Sequence, residues 1–354
     1  MTQPVYATRE DVMRAMDSKL TARNTAQIDR AVESASRDVE KLCHRRFYPE
    51  VDTRYFDWPN SQTAAPWRLW LDDSELISVT SISSGGTAIA PSNCLLEPNR
   101  TGPPYNRLEL NIGTNTAFGG GNTYQRDITI TGVWGYTDTD TTAGALTAAV
   151  STTTATSLPV NAAASALLGV GSILRVDSER LLVTGRTMAT TGQTLGAPGL
   201  DAQAKTVTVP VPDGTAYAVD EVLLIDSERM LIVDIAGNQL TVRRGWDGSV
   251  LAAHTAGAAI YAPRTLIVTR GALGTVAATH ANAAPVYRWE PPGPVRQLVI
   301  AEAIATLTAE SSGYSKTARS ASGSSERNRD QGALQDRRDT TYDACGRHAR
   351  ARAV

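Results

Sequence analysis

Leu174-Arg-Val-Asp-Ser-Glu-Arg-Leu-Leu-Val183 occurs a second time, 49 residues later, as Leu223-Leu-Ile-Asp-Ser-Glu-Arg-Met-Leu-Ile232. Each copy places a polar Asp-Ser-Glu-Arg segment between two short apolar runs. That pattern is typical of a β-hairpin whose turn lies at Asp-Ser. The repetition therefore predicts two copies of one β module in the central part of the chain.

A second repeat follows the first. The segment from Leu240 to Tyr261 aligns without gaps on Leu266 to Tyr287, at an offset of 26 residues. The alignment superposes an Arg-Gly pair, one further glycine, one histidine and one tyrosine of each copy, with His254 on His280. The two kinds of repeat thus occur in the order A, A, B, B rather than A, B, A, B.

This order predicts nested modules. One complete module, 206–261, would lie inside another whose halves are 157–184 and 266–287. The nesting requires that Val183 lie close to Leu266 in the folded chain.

The chain before residue 143 begins with a helical pattern and then changes to strands. Apolar residues recur at spacings of three and four at Ile28, Val32, Ala35, Val39 and Leu42. They predict one helix from about 24 to 47 that buries this face. From about 51 to 140 the period changes to two, which predicts a small antiparallel β element packed on the helices.

The chain after residue 287 returns to a helical pattern, with Pro294 near the start of the helix. A Ser/Gly-rich stretch, 311–325, has the composition of a linker. The last segment, from about 326 to 352, predicts a solvated or partner-packed helix. We therefore expect a core in 1–142, an all-β insertion with nested repeats in 143–287, and a C-terminal helix with a basic Ser/Gly/Arg-rich tail in 288–354.

The expected fold class is accordingly α+β, a helical core with a small antiparallel β element plus an inserted all-β repeat domain. Hydrophobic residues make up 42% of the 354 residues and charged residues 20%, which is typical of a globular chain. The formal net charge of −2 is no signature of wholesale nucleic-acid wrapping. We expect no secretion signal and no membrane span.

Polar residues of the repeats are the first candidates for chemistry. Asp177, Glu179, Asp226 and Glu228 belong to the Asp-Ser-Glu-Arg copies, which lack the Gly-x-Ser-x-Gly elbow of serine hydrolases. His254 and His280 occupy equivalent positions, without further ligands at metal-binding spacing. We interpret all six as turn or packing residues of the modules, and we expect no catalytic, cofactor or metal site.

A basic, aromatic segment follows the long helix: His44-Arg45-Arg46-Phe47-Tyr48. Its arginines could contact phosphate or stack on bases. Basic side chains at the carboxyl end of a helix also stabilise that helix by opposing its dipole. The sequence leaves both interpretations open.

An ordered set of motifs resembles the head-to-tail connector proteins, also called adaptor or head-completion proteins, of long-tailed bacteriophages. The motifs are, in order, a first helix, the long helix, Arg-Arg-Phe-Tyr-Pro, Thr-Arg-Tyr-Phe-Asp-Trp-Pro, Arg-Leu-Trp-Leu-Asp-Asp, Ile-Ser-Val-Thr-Ser-Ile, Ile-Thr-Ile-Thr-Gly-Val-Trp-Gly-Tyr, Pro-Pro-Gly-Pro-Val-Arg-Gln-Leu and Gly-Tyr-Ser-Lys. The resemblance covers 1–142 and 288–354. The insertion at 143–287 departs from the family pattern.

The resemblance implies a structural, non-enzymatic virion protein that is made in the host cytoplasm and acts at the head–tail junction. It implies a homo-oligomeric ring, usually twelvefold, that binds the portal protein, retains packaged DNA, lets DNA pass through its lumen and docks a neck or tail-completion protein. By analogy, candidate residues for the subunit and portal interfaces are Arg37, Glu40, Lys41, Arg45, Arg46, Tyr314, Lys316 and Arg319.

Two alternatives belong to other classes. A cell-surface or carbohydrate-binding β-repeat protein would explain the insertion but not the helices on either side. A phage-encoded wall hydrolase would need paired carboxylates or a metal cluster in a cleft, and the sequence shows no such pattern.

Overall fold

The computed structural model describes residues 3–16, 25–59, 65–311, 317–319, 325–327 and 330–347. The described residues form five α-helices: α1 (Arg9–Met16), α2 (Thr25–Cys43), α3 (Ala162–Leu167), α4 (Gly293–Ser311) and α5 (Asp330–Cys345). Within these ranges, no helix combines the length and the apolar character that crossing a bilayer demands.

The strands before the repeats are β1 (Glu50–Phe56), β2 (Arg68–Trp70), β3 (Leu76–Ser84), β4 (Thr87–Ile89), β5 (Cys94–Glu97), β6 (Arg107–Leu110) and β7 (Ile128–Trp134). Those of the repeat region are β8 (Asp140–Ala145), β9 (Ser157–Pro159), β10 (Ile173–Val176), β11 (Glu179–Thr194), β12 (Thr208–Pro210), β13 (Val222–Ile225), β14 (Glu228–Ala236), β15 (Gln239–Arg243), β16 (Ala259–Thr269) and β17 (Pro285–Trp289). Two short strands, β18 (Thr317–Arg319) and β19 (Ser325–Arg327), pair with each other.

The chain divides into two compact units. Unit 1 comprises Met1–Cys43, Asp140–Ala272 and Val276–Gly346, and unit 2 comprises His44–Thr139, Leu273–Thr275 and Arg347–Val354. Unit 1 contains the helices together with the repeat region, apart from Leu273–Thr275.

Unit 2 is built from two antiparallel sheets. One has the strand order β1-β7-β3-β4 and the other the order β2-β6-β5. β7 alternates strictly between buried and half-buried residues, so one face of its sheet points into a core. That core includes Leu71, Leu108, Ile130 and Trp134, all fully buried.

The predicted fold class is wrong. Strands account for 35% of the chain and helices for 24%, so the molecule is rich in large antiparallel sheets rather than a helical core with a small β element. The physical reason is that residues 51–139 form seven strands that bury a core of their own. The alternating pattern indicated the strands but not how much apolar surface they enclose.

The predicted long helix is confirmed as α2, which ends at Cys43. His44 has a φ of 54°, a left-handed conformation that terminates a helix. The apolar stripe is buried at Ile28, Val32, Ala35 and Val39. This face packs against α4, and Arg296 of α4 makes an ion pair of 2.7 Å with Asp11 of α1.

The repeat region forms two barrel-like modules with separate cores. We call residues 140–187 together with 265–289 the outer barrel, and residues 188–264 the inner barrel. The outer core contains Leu158, Leu174, Val183, Leu266 and Val286, among others. A second, separate cluster fills the inner barrel and includes its equivalents Leu223, Ile232 and Leu240.

The two barrels have the same strand order. It is β9-β16-β11-β10-β17-β8 in the outer barrel and β12-β15-β14-β13-β16-β11 in the inner barrel. In the outer barrel the first and last strands meet, because the Thr147 amide donates to the Pro159 carbonyl at 3.0 Å. The equivalent bond in the inner barrel runs from the Gly196 amide to the Pro210 carbonyl at 2.8 Å.

The inner barrel is inserted into a hairpin of the outer one. Val183 pairs with Val268 and Arg186 with Leu266, so Val183 lies next to Leu266, as nesting requires. The long strands β11 and β16 leave the outer barrel as a pair and continue into the inner barrel. The equivalent hairpin of the inner barrel instead closes with a short turn at Gly237 and Asn238.

Candidate functional site

The repeated Asp-Ser-Glu-Arg segments each form a two-residue turn, one in each barrel. In the outer barrel, Val176 pairs with Glu179, so Asp177 and Ser178 are the two turn residues between β10 and β11. Asp177 has a φ of 52°, a left-handed conformation that aspartate tolerates better than most residues. Asp226 occupies the same place between β13 and β14, with a φ of 51°.

Each turn delivers one glutamate into the barrel. The side chain of Glu179, at the start of β11, is 0% exposed. Its Oε1 accepts hydrogen bonds from Arg270 Nε and the Gly271 amide, both at 2.8 Å. Its Oε2 accepts from Arg270 Nη2 at 2.7 Å, from the Ala278 amide at 2.9 Å and from His280 Nε2 at 2.9 Å.

The inner barrel repeats this arrangement atom for atom. Oε1 of Glu228 accepts from Arg244 Nε at 2.8 Å and from the Gly245 amide at 2.9 Å. Oε2 accepts from Arg244 Nη2 at 2.7 Å, and from the Ala252 amide and His254 Nε2 at 3.0 Å each. We call each set of Asp, Glu, Arg and His side chains a barrel network.

The arginine of each network also holds backbone. Arg270 Nη1 donates to the carbonyls of Thr152 and Ala155, at 3.2 and 2.9 Å. In the inner barrel, Arg244 Nη1 donates to the carbonyls of Asp201 and Thr206 in the same way, at 3.0 and 3.2 Å. Each guanidinium therefore fixes the loop that enters its barrel as well as the glutamate.

The histidine of each network contacts two carboxylates. His280 Nδ1 lies 2.8 Å from Asp177 Oδ2, and His254 Nδ1 lies 2.7 Å from Asp226 Oδ2, while the Nε2 atoms contact the glutamates. Carboxylate oxygens only accept hydrogen bonds, so the ring satisfies both contacts when both its nitrogens carry protons. In that state two anions and two cations balance within each network.

Burial alone would raise the pKa of Glu179, but the hydrogen bonds from Arg270, the two backbone amides and His280 outweigh burial and lower this pKa to about 2. The same opposition holds for Glu228, whose pKa is also lowered to about 2, with Arg244 as the strongest hydrogen-bond donor. Both carboxylates are therefore ionised throughout the physiological range.

These networks are built to hold structure. Five hydrogen bonds occupy the lone pairs of each glutamate, so neither carboxylate has an acceptor site left for a substrate or an ion. The serines of both turns are exposed at the surface. Among the described residues, no group of three or more His, Cys, Asp or Glu side chains is arranged to hold a metal ion.

The predicted turn residues are thus placed together, three in each barrel. Sequence reasoning missed their central partners, Arg244 and Arg270. The available signal was that an Arg-Gly pair and a histidine recur in the second repeat while a glutamate recurs in the first. A buried glutamate needs a cation, and the duplicated arginine is the natural candidate.

The interface residues predicted on and after α2 lie in different environments. Arg37 pairs with Glu40 at 3.2 Å, and Glu40 also accepts a hydrogen bond of 2.6 Å from the Tyr6 hydroxyl. Lys41 is exposed at the surface. The first two side chains are thus committed to contacts within the chain.

Arg45 and Arg46 belong to unit 2. The Arg45 guanidinium lies 4.9 Å from the centre of the Tyr136 ring and 3.4 Å from Glu75, a carboxyl whose pKa is raised by burial. The side chain of Arg46 is 62% exposed. Tyr314 and Lys316 lie outside the described residues, and for Arg319 only its place in β18 is described.

Comparison with known proteins returned no match, whether against family models, curated proteins or solved structures.

Proposed function

We propose that this protein is a structural subunit of the head-to-tail connector of a long-tailed bacteriophage. In this role it forms a ring beneath the portal protein, retains packaged DNA and offers a docking surface to a neck or tail-completion protein. The ordered motifs in 1–142 and 288–354 are the basis of the proposal.

The adjacent ends of the inserted region support the proposal. The two segments that resemble connector proteins are separated by about 145 residues of sequence, yet the chain enters and leaves the barrels at one place. Asp140 pairs with Trp289 at the outer end of β8 and β17. An insertion with adjacent ends leaves the framework around it continuous, so the barrels are compatible with a connector subunit that has acquired an extra domain.

Contacts between the flanking helices support the same view. α2, from before the barrels, packs on α4, from after them. Ion pairs join the same two regions, because Arg296 binds Asp11 at 2.7 Å and Arg30 binds Glu310 at 3.1 Å. Helices so far apart in sequence therefore form one layer.

The side chains of the barrel networks already have hydrogen-bond partners within the chain, which bears on the choice between a structural protein and an enzyme. Their carboxylates and histidines are the residues that sequence alone would nominate for acid–base chemistry. All are engaged with each other, with arginine or with backbone amides, which favours a structural role for the barrels.

The proposal is tested by mixing the purified chain with the assembled portal of the same phage and measuring the mass of the complex by sedimentation velocity. We expect one complex with a fixed, ring-like number of subunits for each portal. The exposed Lys41 and Arg46 are our candidates for the portal interface. Charge reversal at both, Lys41→Glu with Arg46→Glu, should weaken the complex at least tenfold.

The matched control is Lys205→Glu, a charge reversal on an exposed turn of the inner barrel. It should bind the portal like the unmodified chain. Absence of any complex with assembled portal contradicts the connector proposal. An intact complex with the double variant contradicts only the assignment of its interface.

A further inference from the structure

A groove with a volume of about 560 Å³ lies where the outer and inner barrels meet. The outer barrel contributes Pro159 and the first residues of α3, and the inner barrel contributes the turn Thr215–Ala218. Arg264 and Thr265, where β16 crosses from one barrel to the other, complete the lining. Grooves of this size hold small organic ligands.

A fixed ion pair lies beneath one wall of the groove. Arg264 donates to Glu221 through Nε at 2.8 Å and through Nη2 at 3.0 Å, and Nη2 also donates to the Ala216 carbonyl at 2.7 Å. The Glu221 side chain is fully buried. The pair is therefore neutral as a whole and rigid, while Nη1 of Arg264 has no acceptor among the described residues.

A second residue with a side-chain donor lines the same groove. Asn161 uses its Oδ1 to accept from the amides of Ala164 and Ala145, at 3.0 and 3.3 Å. These bonds cap α3 and fix the orientation of the amide group. Its Nδ2, like Arg264 Nη1, donates to no acceptor within the described part of the chain.

Hydroxyl groups and small residues make up much of the remaining lining. Four threonines contribute hydroxyls: Thr147, Thr190, Thr215 and Thr265. Between them lie only alanines, Pro159 and the buried side chains of Val160 and Tyr217. The described residues that line the groove include no aspartate or glutamate.

The repeat does not account for this chemistry. Arg264 has Glu290 as its equivalent in the second repeat, and Glu221 has Ser172 in the first. The Arg264–Glu221 pair therefore occurs once, at the junction, while the barrel networks occur twice. A feature confined to the junction is not a by-product of the duplicated fold.

We propose that this groove binds a short neutral carbohydrate. Fixed donors, threonine hydroxyls and methyl-lined walls match a ligand that offers many hydroxyl groups and little apolar bulk. The neutral Arg264–Glu221 pair gives no net charge to attract an anionic ligand. This binding goes beyond the connector role and does not depend on it.

The test uses the full chain on an array of neutral and anionic oligosaccharides, followed by saturation-transfer NMR with the neutral trisaccharides that bind. Ala163→Trp places an indole in the groove from an exposed position at the start of α3. It should weaken binding at least tenfold. Ala204→Trp, the same change at an exposed turn, should bind like the unmodified chain.

Three results overturn the proposal: no binding to any neutral oligosaccharide, binding to anionic oligosaccharides alone, or unchanged binding by Ala163→Trp. The Ala163→Trp chain should still bind assembled portal. Portal binding by the unmodified chain, measured separately, decides the connector proposal, so the two proposals can fail independently.

Discussion

Arg270 donates two hydrogen bonds to Glu179 across 91 residues of sequence, whereas the equivalent pair of Arg244 and Glu228 spans only 16. The sequence separations differ because the inner barrel lies between Glu179 and Arg270 in the chain. The pair in the outer barrel therefore forms only when the chain has closed around the inner barrel. It links two segments that local structure alone would not bring together.

Removing one arginine should destabilise one barrel. Arg270→Met leaves the carboxylate of Glu179 buried without its arginine partner, which costs about 3–5 kcal/mol of unfolding free energy. Arg244→Met should do the same in the inner barrel. Urea denaturation gives the loss, and hydrogen exchange of β10 and β13 shows which barrel has opened. Arg46→Met, at an exposed site, should change stability by about 0.5 kcal/mol or less. Equal loss of protection in both barrels from either variant would argue against two separate cores.

Deleting the inner barrel should leave the outer barrel folded. Thr187 and Thr265 are directly opposite each other in β11 and β16, so an Asn-Gly turn can replace 188–264. We expect a soluble chain whose outer-barrel amides remain protected in hydrogen exchange, because every network residue of that barrel is retained. A chain that is insoluble or unprotected in β10 and β17 would show that the outer barrel depends on the inner one.

Stability should fall in acid because of the two buried glutamates. Their pKa values are about 2 in the folded chain, against an ordinary value of 4.5. Between these limits the unfolded state binds more protons than the folded state, so the contribution is complete above about pH 5 and is lost as the pH falls toward 2. Urea denaturation at a series of pH values measures this. The slope should be shallower in Glu228→Gln, and an unchanged slope in that variant would exclude Glu228 as its source.

A charge on the buried face of α2 should prevent folding. Val39 is fully buried in the stripe that packs against α4. Val39→Asp places a carboxylate there without a partner, and we expect an insoluble or unfolded chain. Ser34→Asp introduces the same charge on the exposed face and should stay folded by circular dichroism. A folded Val39→Asp chain would mean that α2 does not depend on this contact.

Periodicity and repetition predicted the long helix and the nested repeats, although the predicted fold class was wrong. The apolar residues of α2 predict a helix and not a strand, because spacings of three and four place Ile28 and Val39 on one helical face. The order of the repeats likewise predicted nesting, and the pairing of β11 with β16 brings Val183 close to Leu266 as nesting requires. The sequence did not reveal that the strands before residue 140 enclose a large core of their own. Its strands are short and separated by loops, so their shared core becomes visible only once the sheets pack together.

The barrel networks were predictable in part. The sequence showed that Asp177, Glu179 and His280 belong to a repeated pattern, and it predicted turns. It did not show that Glu179 points inward, because a strand register that is shifted by one residue would turn that side chain to solvent. No repeated pattern in the sequence indicated the Arg264–Glu221 pair, since neither residue is repeated. It exists because β16 continues from one barrel into the next.

Electron microscopy of the full chain mixed with assembled portal shows whether this chain forms a connector ring. The connector proposal predicts a closed ring of this chain seated on one end of the portal, coaxial with its channel, with the barrels as repeated projections. A portal that stays bare at saturating concentrations of the chain would contradict it.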